Sequence, residues 1–267
     1  MITFRVLGPI EADRDGTPVE LGGPRQRVLL ALLLLAAPRP VPTDRLADEL
    51  WGGEPPDGAS TTMRAYVSKL RTALGDDAPI RSGAGGYAMD VDGERVDAAR
   101  FERLAREGRE ALARGASRTA ATRLRSAIEL WRGPPYAGSD GDGVLRVEAQ
   151  RLDDLRLLAL EDRIEADLEL GQAAELVDEL ETLVRDNPYR ERLWRHLMLA
   201  LYRAERQADA LAAYRRARRH FADDLGLEPG EELQALEQAI LRHEVPPARP
   251  PAERHNLPAQ VSSFVGR

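Results

Sequence analysis

Between residues 97 and 243 the same order of large and small apolar residues returns after 34 positions. With no strand pattern and few glycines outside loops, a period of that length predicts stacked pairs of helices. The clearest copy runs through Trp194, Leu197, Met198, Leu201, Ala210, Tyr214 and Ala217, with Ala222 closing it. Thirty-four residues earlier stand Leu160, Ile164, Leu176, Leu180, Leu183 and Pro188. A third copy, Leu104, Gly108, Ala111, Ala120, Leu124 and Ala127, is displaced by an insertion whose GPPYAGSDGDG, Gly133 to Gly143, reads as a loop. Small residues fall where two helices must approach closely, and the stacked pairs are expected to leave a concave face. After them LEPGEELQALEQAIL predicts a last helix that starts at Pro229 and packs back through Leu233, Leu236 and Ile240.

The first 96 residues follow a different pattern. Ile2, Phe4 and Val6 share one face of a strand, Gly8-Pro9 breaks it, and Asp15-Gly16 is a hairpin signal before Val19 and Leu21. Pro24 suits the first turn of a helix running to about Ala37, apolar nearly all round and therefore buried. Pro42-Thr43 opens a second helix, with Thr43 as its cap, Leu46, Leu50 and Trp51 facing inward and Gly52-Gly53 at its end. A third helix follows the loop GGEPPDGAS. Ile80-Arg81, a turn at Gly83 to Gly86, and Tyr87 to Val91 then predict a β-hairpin.

The third helix, Ala59 to Gly75, carries the functional signal. Met63, Val67, Leu70 and Leu74 recur on one helical face. Ser60 or Thr61 is expected to cap its start, and Gly75 suits the end. Thr61, Thr62, Arg64, Ala65, Ser68, Lys69 and Arg71 make up the opposite face, and from Gly58 to Gly75 there are three cations and no acid. A helix clamped on one side with cations and short donors on the other fits a DNA major groove: arginine can bond guanine edges, and Thr, Ser and Lys can bond phosphates or bases. A solvated amphipathic helix would show the same pattern. Arg25 and Arg27, at the start of the first helix, suit either a phosphate backbone or plain solubility.

Charge limits the reading further. The net charge of −7 argues against indiscriminate nucleic-acid binding. Residues 1–96 are themselves acidic, with 11 Arg and Lys against 14 Asp and Glu, so any DNA affinity must come from local arrangement. Absence of cysteine excludes disulfides and cysteine-based metal sites or nucleophiles. The longest apolar run, Val28 to Ala37, has ten residues, against roughly 18 or more for a membrane span. A phosphate-binding loop needs Gly-Lys-Ser/Thr, but the single lysine, Lys69, follows Ser68. His196, His220, His243 and His255 form no H-E-x-x-H pattern. No catalytic, metal or cofactor site is expected.

The order sheet, helix, helix, loop, helix, hairpin, with YVSKLR in the third helix and GGY entering the hairpin, resembles the winged-helix DNA-binding domain of OmpR-type response regulators. The leading sheet with its LGPIEA opening is similar to the Streptomyces antibiotic regulatory proteins. LEPGEELQALEQAIL resembles part of the bacterial transcriptional activator domain that follows the winged helix in that family, and the 34-residue copies match tetratricopeptide (TPR) positions. The resemblance covers nearly the whole chain. It implies a mainly α fold with small antiparallel β-sheets: a winged helix-turn-helix domain over residues 1–96, then an all-α TPR-like repeat domain over 97–243.

By position, the resemblance implies that Thr61, Thr62, Arg64, Ser68 and Arg71 face DNA, with the hairpin "wing" approaching the adjacent minor groove. Arg25, Thr43, Lys69, Arg81 and Tyr87 become candidates for phosphate or wing contacts. Ser68 stands where OmpR-type helices often carry a bulkier basic residue, so base preference does not carry over. Also implied are a non-enzymatic activator in the cytoplasm, dimeric on direct repeats in promoters, contact with RNA polymerase holoenzyme, and control of antibiotic gene clusters. The competing readings are a TPR-like interaction scaffold and a ligand sensor; a scaffold has no need of a hairpin after a basic helix. From Glu244 the chain is proline-rich and polar, an expected linker. Its VSSFVGR ending is similar to the entry of the ATPase module in larger family members.

Overall fold

The computed structural model describes residues 1–75, 78–139 and 143–247. The VSSFVGR ending and most of the expected linker lie outside the described residues. Packing divides the chain into two compact units, Met1–Ile164 and Glu165–Arg267.

The first unit opens with an antiparallel sheet of β1 (Ile2–Arg5), β2 (Glu11–Arg14) and β3 (Thr17–Pro18). Asp15 and Gly16 both take positive φ, 51° and 85°, which closes β2 on β3 through the two-residue turn that Asp-Gly favours. Ile2, Phe4 and Val6 are buried together. Three helices follow: α1 (Pro24–Ala36), α2 (Thr43–Trp51) and α3 (Ala59–Leu74). Leu29 to Leu34 are all buried in α1, and the Gln26 side chain reaches back to accept the Gly23 N–H at 2.7 Å.

Two expected caps are corrected. Pro42, not Thr43, holds the N-cap of α2, because its carbonyl already accepts the Leu46 N–H at 3.0 Å. Gly58, in the left-handed region, caps α3 and accepts the Thr61 and Thr62 N–H groups, so neither Ser60 nor Thr61 makes a capping bond. At the other end Gly75 has φ 73°, as a helix stop requires. Strands β4 (Ile80–Gly83) and β5 (Gly86–Met89) pair antiparallel as the expected hairpin.

At residues 96–97 the chain enters its helical pairs without leaving the unit. Val96 bridges Phe4, and the buried Asp97 carboxylate accepts the Val6, Leu7 and Ala98 N–H groups at 2.7, 3.1 and 2.8 Å. Burial pushes the Asp97 carboxyl pKa up, while these bonds and Arg132 oppose it. The loop after the next two helices also returns to this edge: Arg132, Tyr136 and Ala137 donate N–H groups to the Leu7, Val6 and Gly8 carbonyls.

Helices α4 (Asp97–Ala113) and α5 (Ser117–Ile128) pack with Leu104, Gly108, Ala111, Ala120, Leu124 and Ala127 all buried, as the repeat pattern predicts. Gly108 allows the close approach. A Cβ there would sit 2.5 Å from Leu124 Cγ, a branch point that cannot swing away. Alanine in a helix gains about 1 kcal/mol over glycine, and overpacking costs about 1–3 kcal/mol. A Gly108→Ala chain is therefore expected to be less stable by urea titration, and stabilisation would show that α5 yields freely.

α6 (Val144–Glu169) runs across the division between the units. In the second unit stand α7 (Ala173–Asp186), α8 (Glu191–Arg203), α9 (Gln207–His220) and α10 (Glu231–Leu241). Trp194, Leu197, Met198, Leu201, Ala210, Tyr214 and Ala217 are buried, so the clearest copy of the repeat is a packed helix pair. A π-helical turn, Phe221–Leu225, occupies the place of Ala222. The last helix begins later than expected. Gly230 caps it, its N–H held at 3.0 Å by the Glu191 carboxylate, and Pro229 lies outside. Leu233 and Ile240 are buried, and Leu236 is half-buried.

This unit contains an acid-sensitive site. His196 is fully buried, and its Nε2 faces Glu165 Oε2 at 3.8 Å. Burial pushes its pKa below the ordinary 6.5. His196, and then Arg192 at 2.6 Å, hold the Glu165 carboxyl well below its usual range. Both folded pKa values lie below the unfolded ones, so the unfolded chain binds more protons and stability decreases as the pH is lowered. The His196 share is present above 6.5 and lost below it; the Glu165 share fades below 4.5. Melting temperature is expected to drop between about pH 7.5 and 5.5, and His196→Gln to flatten that drop. An unchanged slope in the variant would place the effect elsewhere.

Candidate nucleic-acid interface

Burial sorts the residues of α3. Met63, Val67, Leu70 and Leu74 are each no more than 2% exposed, packed toward α1 and α2. Thr61, Arg64, Ala65, Ser68, Lys69 and Thr72 form an exposed strip on the other side, which is the helical geometry of one face. Among the described residues neither Arg64 nor Lys69 has an ion-pair or hydrogen-bond partner. The strip therefore presents two unneutralised cations with the Thr61 and Ser68 hydroxyls. Thr72, which the sequence reading passed over, turns its hydroxyl back to the Ser68 carbonyl at 3.1 Å. Thr62 is half-buried at one border.

The wing is fixed on both strands. On β5, Tyr87 and Val41 exchange backbone hydrogen bonds of 2.8 and 3.0 Å, adding the segment before α2 to the hairpin. This bridge places Thr43, half-buried in the first turn of α2, near the wing's root. On β4, the half-buried Arg71 guanidinium donates to the Ile80 carbonyl and to Ser82 Oγ. Arg81 is exposed but pairs with Asp90, which neutralises it. The tip between Gly83 and Gly85 is exposed.

Arg25 stands off the strip. Its guanidinium lies 5.7 Å over the Trp51 ring, and Trp51 stacks on Tyr66 of α3 with ring centroids 6.5 Å apart. The cation is thus linked to the flank of α3 opposite the wing, an arrangement visible only once α1, α2 and α3 are folded together. Arg14 is a second residue that sequence reasoning missed. From β2 it donates to the Ala73 carbonyl at 3.2 Å and steadies the C-terminal end of α3.

Among the described residues no group of His, Cys, Asp and Glu could hold a metal ion, and no helix is long and apolar enough to cross a membrane. Among the described residues the chemistry that α3 offers is recognition: the exposed Lys69 ammonium, hydroxyls and the unpaired Arg64 guanidinium on a convex helix face.

Comparison with known proteins gives this geometry relatives. The family described as "Transcriptional regulatory protein, C terminal" matches residues 16–87, and "Bacterial transcriptional activator domain" matches residues 96–241. The chain is 42% identical to Regulatory protein AfsR of Streptomyces coelicolor, over all of this chain and 28% of that protein. It is 40% identical to Regulatory protein DnrI of Streptomyces peucetius, over 90% of this chain and 92% of that one. The structure of Mycobacterium tuberculosis EmbR in complex with a low affinity phosphopeptide is similar with a TM-score of 0.88 and 37% identity, covering 93% of this chain and 67% of that chain. Winged helix followed by helical pairs is therefore a fold with solved precedent, and the chain spans little more than a quarter of the length of AfsR.

Proposed function

The chain belongs to the bacterial transcriptional activator domain family, of the Streptomyces antibiotic regulatory protein type, and from that premise we propose that it is a sequence-specific DNA-binding activator. The exposed strip of α3, beside a wing anchored on both strands, is the observation that carries the reading. Thr61, Thr62, Arg64 and Ser68 enter the major groove, and Lys69 reaches phosphate. Arg25, Thr43, Arg81 and Tyr87 make backbone or wing contacts, Arg81 on exchanging Asp90 for a phosphate.

Residues 1–96 form the DNA-binding module, and 97–243 the module that assists dimerisation and contacts RNA polymerase. Two protomers on a direct repeat set both recognition helices on one side of the duplex about one turn apart. The acidic remainder of the chain keeps binding to random DNA weak. The action is non-enzymatic, in the cytoplasm on promoters of secondary-metabolite gene clusters.

Selection from random duplexes tests this reading. The full chain is expected to enrich a directly repeated element with its halves about 10–11 base pairs apart. Enrichment of no sequence at low salt would overturn it.

A further inference from the structure

Arg64 and Arg71 stand seven residues apart and so lie on nearly one line along α3, yet only Arg64 is exposed. β4 passes beside the second. Arg71 Nε and Nη2 donate to the Ile80 carbonyl at 3.2 and 2.9 Å, and Nη2 donates to Ser82 Oγ at 2.7 Å. A guanidinium has five N–H donors. Three are committed to the wing, and those left over sit on Nη1 alone. Arginine grips guanine O6 and N7 with a fork of two donors, and a single outer nitrogen does not reproduce that fork. Reading a base with Arg71 would mean releasing β4.

We infer that Arg71 is a positioning residue. It sets the angle of the wing against the recognition helix, while base reading on α3 belongs to the strip of Thr61, Arg64 and Ser68. The Tyr87–Val41 pairing holds β5 from the other side, and Arg71 adds a direct tie from α3 to β4 beside the β4–β5 pairing and the buried Ile80. The inference rests on the DNA-binding reading but has a consequence that needs no DNA: losing Arg71 loosens the hairpin in the free protein.

The experiment compares the full chain with Arg71→Ala, Arg71→Lys and Ser82→Ala on the duplex selected by the unmodified protein. Arg71→Ala is expected to lower affinity about tenfold and to return the same consensus on reselection. It should lose hydroxyl-radical protection in the wing's minor groove while keeping protection in the major groove. Amide exchange in β4 and β5 of the free variant should quicken, with the melting transition of the remainder retained. Ser82→Ala should move both readouts the same way by less, and Arg71→Lys should recover only part of the protection. A consensus relaxed at one base pair, with wing protection and amide exchange unchanged, would overturn the inference and make Arg71 a base reader. Unaltered affinity and exchange in Arg71→Ala would overturn it too. If the unmodified chain selects no duplex, the DNA-binding reading fails, while amide exchange still decides whether Arg71 holds the hairpin.

Discussion

Gly86→Ala is expected to detach the wing, and with it most of the affinity for a selected duplex. Gly86 has φ 109°, and a Cβ on it would lie 2.0 Å from the Val41 carbonyl oxygen and 2.9 Å from Pro42 Cα. Both are backbone atoms, so no side-chain rotation relieves the clash. The unfavourable φ costs about 1–3 kcal/mol, and overpacking against backbone adds about 1–3 kcal/mol. The Tyr87–Val41 pairing at 2.8 and 3.0 Å is the feature that must give way. Two neighbours act as controls. A Cβ at Gly83 meets nothing within 4 Å, and at Gly85 it comes no closer than 3.4 Å to the Pro40 ring. Alanine at either is expected to leave binding within about threefold, as surface substitutions usually do. Denaturant titration and a gel shift on all three variants check this; equal behaviour at positions 83, 85 and 86 would mean that the wing is not anchored through Val41.

That contrast marks how far the sequence can be read. GAGG between two alternating runs is legible as a turn, because glycine in that context predicts reversal. Which glycine is indispensable depends on Val41, 45 residues earlier, and no local pattern reports that proximity. Similarly, the buried face of α3 follows from periodicity alone, since Met63, Val67, Leu70 and Leu74 need only helical spacing to align. Arg71 shows the limit: its charge and spacing match those of Arg64, and only the course of β4 separates them. The expected caps differ from the observed ones for a local reason. Ser60, Thr61 and Thr43 have good capping side chains, but Gly58 and Pro42 provide the first carbonyls one or more residues sooner. Asp97 carries no signal in the sequence, since a lone acid at a helix start is ordinary; its role comes from the Val6 and Leu7 N–H groups that donate to it in the fold.

Arg64→Ala and Lys69→Ala should separate specificity from affinity. Both side chains are exposed on the same strip, and neither has a protein partner among the described residues, so each substitution removes little from the folded chain. Arg64 can present two donors to a guanine edge, and its loss is expected to cost about 1–3 kcal/mol of specific binding and to relax one position of the selected site. Lys69 has one compact ammonium, suited to a phosphate. Its loss should weaken selected and scrambled duplexes about equally, and reduce the slope of log affinity against log salt by about one. The salt slope also decreases for Arg64→Ala if that arginine touches only phosphate, so slope and selectivity together assign each cation. Gel-shift titrations on both duplexes at several salt concentrations provide both numbers. Arg64→Ala with unchanged selectivity and a reduced slope would move base reading to the hydroxyls of Thr61 and Ser68; an unchanged affinity would remove this face of α3 from the interface.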